Sequence, residues 1–287
     1  MLISLSVTNY SWRADNGMCG GLARIAEAAD AGGLDTMWVA DHLLQADPFA
    51  PPDDTEHLEA YTTLGFLAAC TERVKLGAMV SPVTFRAPAL LIKAVTTLDV
   101  LSNGRARFGV GAGYQQDEAR AMDLPLPPTA ERFERLEETL RLALHMWSGD
   151  ESPFEGTYYR LERPQNSPNS IQQPHPPILV GGAGERRTLP LVARYADACN
   201  LFDIPDGGRT LRHKLRVLAD LCEEIGRPYD SIEKTVSTRL LPDESAEAFA
   251  ERVAGLAEIG IDHVCVIRSG PWTEEGVAVL AEAARQL

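Results

Sequence analysis

The sequence predicts an α/β protein of the (β/α)8 barrel class, and three observations lead to that prediction. Eight short apolar segments typical of buried strands alternate along the chain with segments of helical periodicity. The 287 residues are close to the roughly 250 that such a barrel contains. No shift in composition separates one part of the chain from another. Residues 1–287 are therefore predicted to form one domain.

Four strands are predicted in the first half, each from a short apolar run that stops at polar or glycine residues. The first run (LISLSV) alternates apolar with small polar side chains, and the second (TMWVA) stops at Asp41-His42. Between them residues 22–29 carry a helical apolar stripe that ends at the glycine pair 32–33. Residues 43–58 form a long loop, of the kind that tends to carry function. The ranges are 2–7, 36–40, 74–80 and 106–111 for the strands and 61–69 and 89–101 for the next helices.

The second half continues the same alternation. Phe133, Leu136, Leu140 and Leu144 recur at helical spacing and predict the fourth helix, residues 132–147. After that helix comes an insertion of irregular or hairpin character, rich in proline, asparagine and glutamine. The ranges are 154–177 for the insertion, 178–180, 197–202, 233–241 and 262–267 for the strands, and 185–195, 211–226, 246–259 and 273–286 for the helices.

A doubly wound open sheet is the alternative fold. Such a sheet has five or six strands, and its first strand leads into a G-x-G-x-x-G turn. This chain has eight strand and helix units, and the segment after its first strand is TNYSW. The count and the missing turn both favour the barrel.

The composition of the chain argues against two classes of binding partner, nucleic acids and anionic membranes. The formal net charge is −14, so the summed field repels nucleic acid and anionic membranes. The five cysteines are widely spaced and contain no C-x-x-C pair, which is typical of reduced core residues. The N-terminus lacks the basic start of a signal peptide, and no apolar run approaches the about 18 residues of a membrane span. We expect a cytoplasmic protein.

The segment RARFGVGAGY, residues 105–114, is the predicted fourth strand together with its end. Gly109, Gly111 and Gly113 occupy alternate positions, so one face of the segment has almost no side-chain bulk. Either a flat ligand or a neighbouring backbone can approach that face. The glycine pattern alone leaves both interpretations open.

A second glycine-rich turn follows the predicted fifth strand. Residues Gly181–Gly184 lead into a helix and present free backbone N–H groups at its positive end, where phosphate groups bind. Arg186 and Arg187 add positive charge. The alternative is a tight turn without a ligand. Phosphate sites in barrels more often follow strands seven and eight, so this position departs from the common one.

Asp41-His42, after the second strand, allows three interpretations: a metal pair, a general acid or base, and a polar cap on the loop. Metal-dependent barrels use several ligands from different strand ends, and only this pair qualifies here, so we expect no metal. With an ordinary pKa of about 6.5, His42 can donate or accept a proton at neutral pH. A histidine held by its own loop is the structural alternative.

Four stretches together give the sequence a specific resemblance. With WVADH at 38–42, TLDVLSNGRARFGVGAGY at 97–114, ERFERLEETL at 131–140 and HPPILVGGAGERRTLPLVARYADACN at 175–200, the chain resembles the bacterial luciferase-like family. It is most similar to the F420-dependent oxidoreductases of that family. The match runs from the first strand to about the sixth helix.

The resemblance implies a flavin-type cofactor in the barrel mouth, with its phosphate on the turn after strand five. It also implies a bulge after strand three with a non-prolyl cis peptide at Met79-Val80, and places His42 near the reactive carbon of the ring. The implied catalytic residues are His42 and Asp41, and the implied substrate contacts are Tyr10, Trp12, Glu59 and Tyr114. The implied cofactor contacts are Met79, Val80, Ser81, Gly111, Ala112, Gly113, Gly181, Gly182, Ala183, Gly184, Glu185 and Arg186.

These implications lead to a functional hypothesis, which is hydride transfer between the deazaflavin F420 and a small organic substrate. The alternatives are an FMN-dependent monooxygenase and a non-catalytic flavin-binding protein. At Tyr114 the sugar-phosphate dehydrogenases of the family have a glutamate used in catalysis, which argues against glucose 6-phosphate as the substrate. Family members are often dimers, so we expect a homodimer.

Overall fold

The structure, a computed structural model, describes residues 1–12 and 17–287. The strands are β1 Leu2–Val7, β2 Thr36–Val39, β3 Lys75–Ala78, β4 Ser81–Pro82, β5 Ala106–Gly111, β6 Phe154–Glu155, β7 Arg160–Leu161, β8 Ile178–Gly181, β9 Ala198–Phe202, β10 Glu233–Arg239 and β11 His263–Ile267. The helices are α1 Gly17–Gly32, α2 Ala60–Cys70, α3 Pro88–Leu101, α4 Gln116–Ala121, α5 Thr129–Trp147, α6 Thr188–Tyr195, α7 Arg209–Ile225, α8 Ala246–Ile259 and α9 Glu274–Gln286, with a 3-10 turn at Tyr229–Ser231.

Parallel strands close into a ring in the described part of the chain, which confirms the predicted (β/α)8 barrel. The order around the ring is β3-β2-β1-β11-β10-β9-β8-β5, and pairing between β3 and β5 closes it. β4 extends the third of the eight strands and pairs with β5. All carboxyl ends of these strands therefore open at one end of the barrel, which we call the mouth.

The alternation in β1 follows from the two layers that it separates. Ile3, Leu5 and Val7 are buried against the surrounding helices as part of the larger apolar core. Ser4 lies on the other face, where its hydroxyl oxygen accepts a hydrogen bond from Trp38 Nε1 at 3.1 Å. The serine face of β1 therefore points into the barrel, where it meets an interior cluster that contains Trp38 and Cys265, while the branched apolar face of β1 packs outward.

The third strand is interrupted, where the sequence predicted an unbroken strand at 74–80. β3 pairs Gly77 with Arg107, whereas β4 pairs Ser81 with Val110. Four residues on one strand thus oppose three on the other, which is the register of a β-bulge. The bulge lies at Met79-Val80, and this peptide bond is cis, as the resemblance implied.

Two helices differ from the prediction, and the insertion agrees with it. α6 begins at Thr188 instead of residue 185, because residues 184–187 form a turn in which the Arg187 N–H donates to the Gly184 carbonyl. α4 was not predicted, because its sequence QDEARA has no apolar stripe. The insertion contains the hairpin of β6 and β7.

A buried charge cluster occupies the closed end of the barrel. Glu233, at the start of β10, accepts hydrogen bonds from Arg107 at 2.9 Å and from His263 Nδ1 at 2.5 Å. Burial opposes ionisation, but the His263 hydrogen bond and the Arg107 charge prevail and lower the pKa of Glu233 to about 2. This cluster lies at the opposite end of the strands from the mouth.

Across the described ranges, no helix has both the length and the apolar character needed to cross a membrane.

Candidate active site

His42 follows β2 at the mouth, and a glutamate of α4 holds it in place. His42 Nδ1 donates to Glu118 Oε2 at 2.7 Å. Glu118 Oε1 accepts from the backbone N–H groups of Leu43 and Leu44 at 2.5 and 3.0 Å. One buried carboxylate thus fixes both the imidazole and the backbone that follows it. Because Nδ1 donates to Glu118, Nε2 is the nitrogen that can exchange a proton with a substrate.

Asp41 lies next to His42 and is paired with an arginine. Its side chain is fully buried, and Arg86 binds its two carboxylate oxygens at 2.7 and 3.0 Å. The same guanidinium group donates to Glu59 at 2.5 Å and lies over the Tyr61 ring. Such a bidentate, shared pairing fixes the orientation of both carboxylates. The catalytic role of Asp41 stays a prediction, and its contacts are those of a residue that holds the mouth together.

Glu59 connects this network to the start of α2. Its carboxylate accepts from the backbone N–H groups of Tyr61 and Thr62 at 3.2 and 2.7 Å, which caps the helix. Burial opposes ionisation, but the hydrogen bonds from Thr62 and Arg86 outweigh it and lower the pKa of Glu59. Its contact with a substrate stays a prediction.

The bulge of the third strand explains the alternating glycines of β5. A Cβ atom on Gly109 would lie 1.9 Å from the Ala78 carbonyl oxygen. A Cβ atom on Gly111 or Gly181 would lie 2.9 Å from the side chain of Val80. The glycines therefore make room for a neighbouring strand, which is the second of the two interpretations that the sequence left open. Met79 and Val80 themselves are partly buried and pack on the interior cluster of the barrel.

The other predicted cofactor residues flank this bulge. Ser81 is buried, and its hydroxyl shares a 2.9 Å hydrogen bond with that of Tyr61. Ala112 and Gly113 follow β5, and the Gly113 carbonyl accepts a hydrogen bond from Arg132 of α5. Gly113 has a φ of 76°, which favours glycine. The structure thus brings the ends of strands three and four together, as predicted.

The turn after β8 presents backbone N–H groups to solvent. In the described part of the chain, no acceptor pairs with the N–H groups of residues 183–186. Gly182 adopts a φ of 115° and directs the chain into the turn. The Glu185 carboxylate points away, toward α7, where it accepts from His213 and Lys214 at 2.9 and 2.6 Å. This turn has the geometry of an anion site, and phosphate binding there stays a prediction.

A row of five rings lines one wall of the mouth. Its members meet edge to face in the order Trp12, Tyr10, His57, His42 and Tyr114, with centroid separations of 6.1, 5.2, 6.2 and 6.0 Å. Tyr114 is 70% exposed at the outer end, whereas Tyr10 is fully buried. Trp12 Nε1 donates to the Trp272 carbonyl at 2.9 Å. The three predicted aromatic substrate contacts thus share one wall with His42.

Three site residues escaped the sequence analysis: Glu118, Arg86 and His57. Glu118 belongs to the short polar helix α4. Arg86 lies in the link between β4 and α3, and His57 in the long loop before α2. The sequence of a loop has no periodicity, so it does not indicate where in the fold a charged or imidazole side chain of that loop will lie. The length of the 43–58 loop was the one available indication that the loop contributes to the site.

No group of three or more His, Cys, Asp or Glu side chains within residues 1–12 and 17–287 is arranged to hold a metal ion.

Comparison with known proteins identifies the family. A model of the luciferase-like monooxygenase family matches residues 2–283. The chain belongs to this family. The match includes all eight strands of the barrel, from β1 to β11, and it confirms the resemblance found in the sequence.

Two relatives with a described activity are similar to the chain in sequence. The chain is 34% identical to an F420-dependent glucose-6-phosphate dehydrogenase of Kineococcus radiotolerans, over 82% of this chain and 68% of the relative. A protein with the same description from Amycolatopsis mediterranei is 29% identical, over 84% of this chain and 70% of the relative.

Two solved structures share the fold at low sequence identity. One is an F420-dependent secondary alcohol dehydrogenase in complex with an F420-acetone adduct, with a TM-score of 0.83, 18% identity and coverage of 98% of this chain and 97% of that one. The other is a coenzyme F420 dependent tetrahydromethanopterin reductase from Methanopyrus kandleri, with a TM-score of 0.81, 16% identity and 99% coverage of both chains. These likenesses confirm the barrel fold.

Proposed function

We propose that this luciferase-like protein is an F420-dependent oxidoreductase that transfers a hydride between the deazaflavin F420 and a small organic substrate. The observation that carries the proposal is the position of His42, which follows β2, the strand paired with β3 of the bulged third strand, and is held by Glu118 at 2.7 Å. The similarity to F420-dependent enzymes in sequence and in fold supports the choice of cofactor.

The residues present fit a planar cofactor with an anionic tail. The bulge at Met79-Val80 offers a backing for the ring, and the N–H groups of residues 183–186 offer donors for a phosphate group. When bound, F420 would supply a ring that accepts or donates a hydride. The bulge lies on the third strand and the turn follows β8, with β5 between them. Val80 nevertheless comes close to Gly181, since a Cβ atom there would lie 2.9 Å from its side chain, so one extended ligand can contact both the bulge and the turn.

The protein contributes orientation, water exclusion and one proton. His42 Nε2 donates a proton to the substrate oxygen during reduction and accepts one during oxidation. Glu118 keeps the imidazole in the tautomer that leaves Nε2 available. The Arg86 pairing with Asp41 and Glu59 holds the two loops that carry His42 and the start of α2. The row of rings keeps water from one side of the site.

Titration of the purified protein with F420 and with FMN, followed by absorbance and fluorescence, tests the cofactor. Micromolar or tighter binding of F420 with weak binding of FMN supports the proposal. Tight binding of FMN with weak binding of F420 would instead support the FMN-dependent monooxygenase. F420 that binds but is neither reduced nor oxidised by any donor or acceptor supports the non-catalytic alternative.

We also propose that the enzyme works as a homodimer in the cytoplasm, with residues 1–287 as one domain. The five cysteines are unpaired, and burial raises the pKa values of Cys199 and Cys265 to about 12, as suits thiols that remain reduced. Sedimentation velocity tests the dimer, because a monomer sediments near the 31.3 kDa of one chain. Fractionation of the source cells tests the compartment.

A further inference from the structure

Two neighbouring side chains in the mouth have polar atoms that are buried without a hydrogen-bond partner in the described part of the chain. They are the hydroxyl of Tyr10 and the ring nitrogens of His57, of which one faces the Ala40 carbonyl without reaching hydrogen-bond geometry and the other has no partner among the described residues. The two rings meet edge to face, with centroids 5.2 Å apart. Buried polar groups in native proteins are normally paired, so adjacent unpaired ones indicate a place where a ligand supplies the partner.

The pair lies directly behind the proton-transfer group. The His57 ring is 6.2 Å from that of His42, and the row of rings continues outward to Tyr114 at the surface. In this row His57 is the next ring after His42 as counted from Tyr114, and Tyr10 follows it. The unpaired atoms are therefore close to the group that exchanges the proton.

The charges around this pair disfavour an anion. Arg86 is shared by Asp41 and Glu59, so these three side chains together carry more negative than positive charge. Glu118 adds another carboxylate beside His42. A negative surrounding repels a phosphate or carboxylate placed next to it.

His57 itself does not offset these carboxylates. Burial, and then the proximity of His42, lower its pKa to about 4, so the ring is neutral at pH 7. A neutral imidazole has one N–H donor and one acceptor. Burial raises the pKa of Tyr10, with Asp41 and Glu59 adding to the shift, so its hydroxyl remains a donor.

Several large apolar side chains are exposed among the polar residues of the rim. They lie in the segments that follow the strand ends. They make this end of the barrel more receptive to an uncharged ligand than a wholly charged rim would be. The rim includes Phe49, Phe202, Ile204 and Leu241, which are 63%, 56%, 45% and 53% exposed.

We propose that Tyr10 and His57 together bind the oxygen of an uncharged alcohol or carbonyl substrate and hold it beside His42. This inference rests on the proposed function. In oxidation, the carbinol carbon loses a hydride to F420 and the hydroxyl loses a proton to His42 Nε2, which leaves a carbonyl group. In reduction the same hydride and proton return. The single hydroxyl hydrogen of the alcohol points to His42 Nε2, so the two lone pairs of that oxygen accept from the Tyr10 hydroxyl and from the one N–H of neutral His57. The same two groups donate to the carbonyl oxygen in the reverse direction.

The test compares Tyr10→Phe and His57→Phe with the wild type. Substrates are a series of secondary alcohols with their ketones, the matching 2-hydroxy acids, and glucose 6-phosphate, each assayed with F420. We expect turnover of uncharged members, and a rise in KM of about tenfold in each variant with a smaller change in kcat. Removing the unpaired Tyr10 hydroxyl should leave the melting temperature of the free protein equal or higher.

Tyr195→Phe is the matched control, because the Tyr195 hydroxyl donates to Glu137 at 3.0 Å on the outside of the barrel. This control should lower the melting temperature slightly and leave KM unchanged. An unaltered KM in Tyr10→Phe, or turnover of the charged substrates alone or of none, overturns the inference. Failure of the wild type to bind F420 instead overturns the proposed function, so the two failures are distinguishable.

Discussion

The Glu118 carboxylate contacts His42 Nδ1 at 2.7 Å across 76 residues of sequence. Replacing Glu118 with glutamine keeps the shape of the side chain but weakens its hold on the imidazole. We expect kcat to fall about 10- to 100-fold with F420 affinity unchanged, because a histidine in the wrong tautomer or orientation transfers protons poorly. Steady-state kinetics with an F420 titration measures both quantities.

Glu138→Gln is the control for Glu118. Glu138 is also buried and accepts backbone N–H groups, those of Thr157, Tyr158 and Tyr159, but it lies at the insertion hairpin. Its substitution should lower stability without a selective loss of kcat. Equal losses in both variants would show that Glu118 acts only through stability.

His42→Gln removes the group that exchanges the proton. We expect turnover to fall by about 10²- to 10⁴-fold, the usual contribution of general acid–base catalysis, with cofactor binding retained. Rapid-mixing measurement of hydride transfer with saturating F420 checks this. His145→Gln on α5 is the control, since His145 contacts the Ser152 carbonyl outside the mouth. Wild-type turnover in His42→Gln would remove His42 from the mechanism.

Arg186→Glu tests the phosphate turn by reversing one charge beside the N–H groups of residues 183–186. This variant is preferable to a change at Gly182, where the φ of 115° would strain any side chain. We expect F420 to bind about tenfold more weakly, with the loss reduced at high salt because the interaction is screened. Arg216→Glu, an exposed arginine of α7, makes the same charge change elsewhere. Equal affinities for the two variants would contradict the assignment.

The Glu233 cluster predicts how stability depends on pH. The pKa of Glu233 is about 2 in the folded protein against an ordinary 4.5. The contribution of the Glu233 charge to the free energy of unfolding is therefore complete above pH 4.5 and disappears as the pH falls toward 2. The shift corresponds to about 3 kcal/mol. At pH 7 the free energy of unfolding of Glu233→Gln should be lower than that of the wild type by about this amount. The difference between the two free energies should shrink as the pH falls from 4.5 to 2.

Urea denaturation at several pH values measures this difference. Glu224→Gln, an exposed site on α7, should leave the free energy of unfolding unchanged throughout. A constant difference between Glu233→Gln and wild type across the acid range would mean that the charge of Glu233 does not provide the stabilisation.

The sequence predicted the barrel because its strands and most helices have strong periodicity. Leu5 and Val7 alternate with serines, which predicts the strand β1, and α5 has a long apolar stripe, which predicts a helix. Periodicity failed where tertiary contacts decide. It did not indicate the bulge at Met79-Val80, which depends on a register shift against β5 and was expected only from the family resemblance. It also placed the start of α6 too early, because the turn before that helix depends on hydrogen bonding to Gly184.

The site was predictable only in part, for the same reason. His42 and the glycine turn follow strands, whose carboxyl ends always meet at the mouth. Glu118, Arg86 and His57 reach the site from a short polar helix and two loops, whose paths depend on packing. Their roles emerge from distances such as the 2.7 Å between Arg86 and Asp41, which no local pattern encodes.

The position of Val80 between Gly111 and Gly181 has an evolutionary consequence. A methyl group added to either glycine would come within 2.9 Å of the valine side chain. Three strands thus share one small volume, and only position 80 can become smaller, since 111 and 181 are already glycine. A larger residue at 111 or 181 should therefore be tolerated only together with a smaller residue at 80, so variant libraries for this mouth should change position 80 with them.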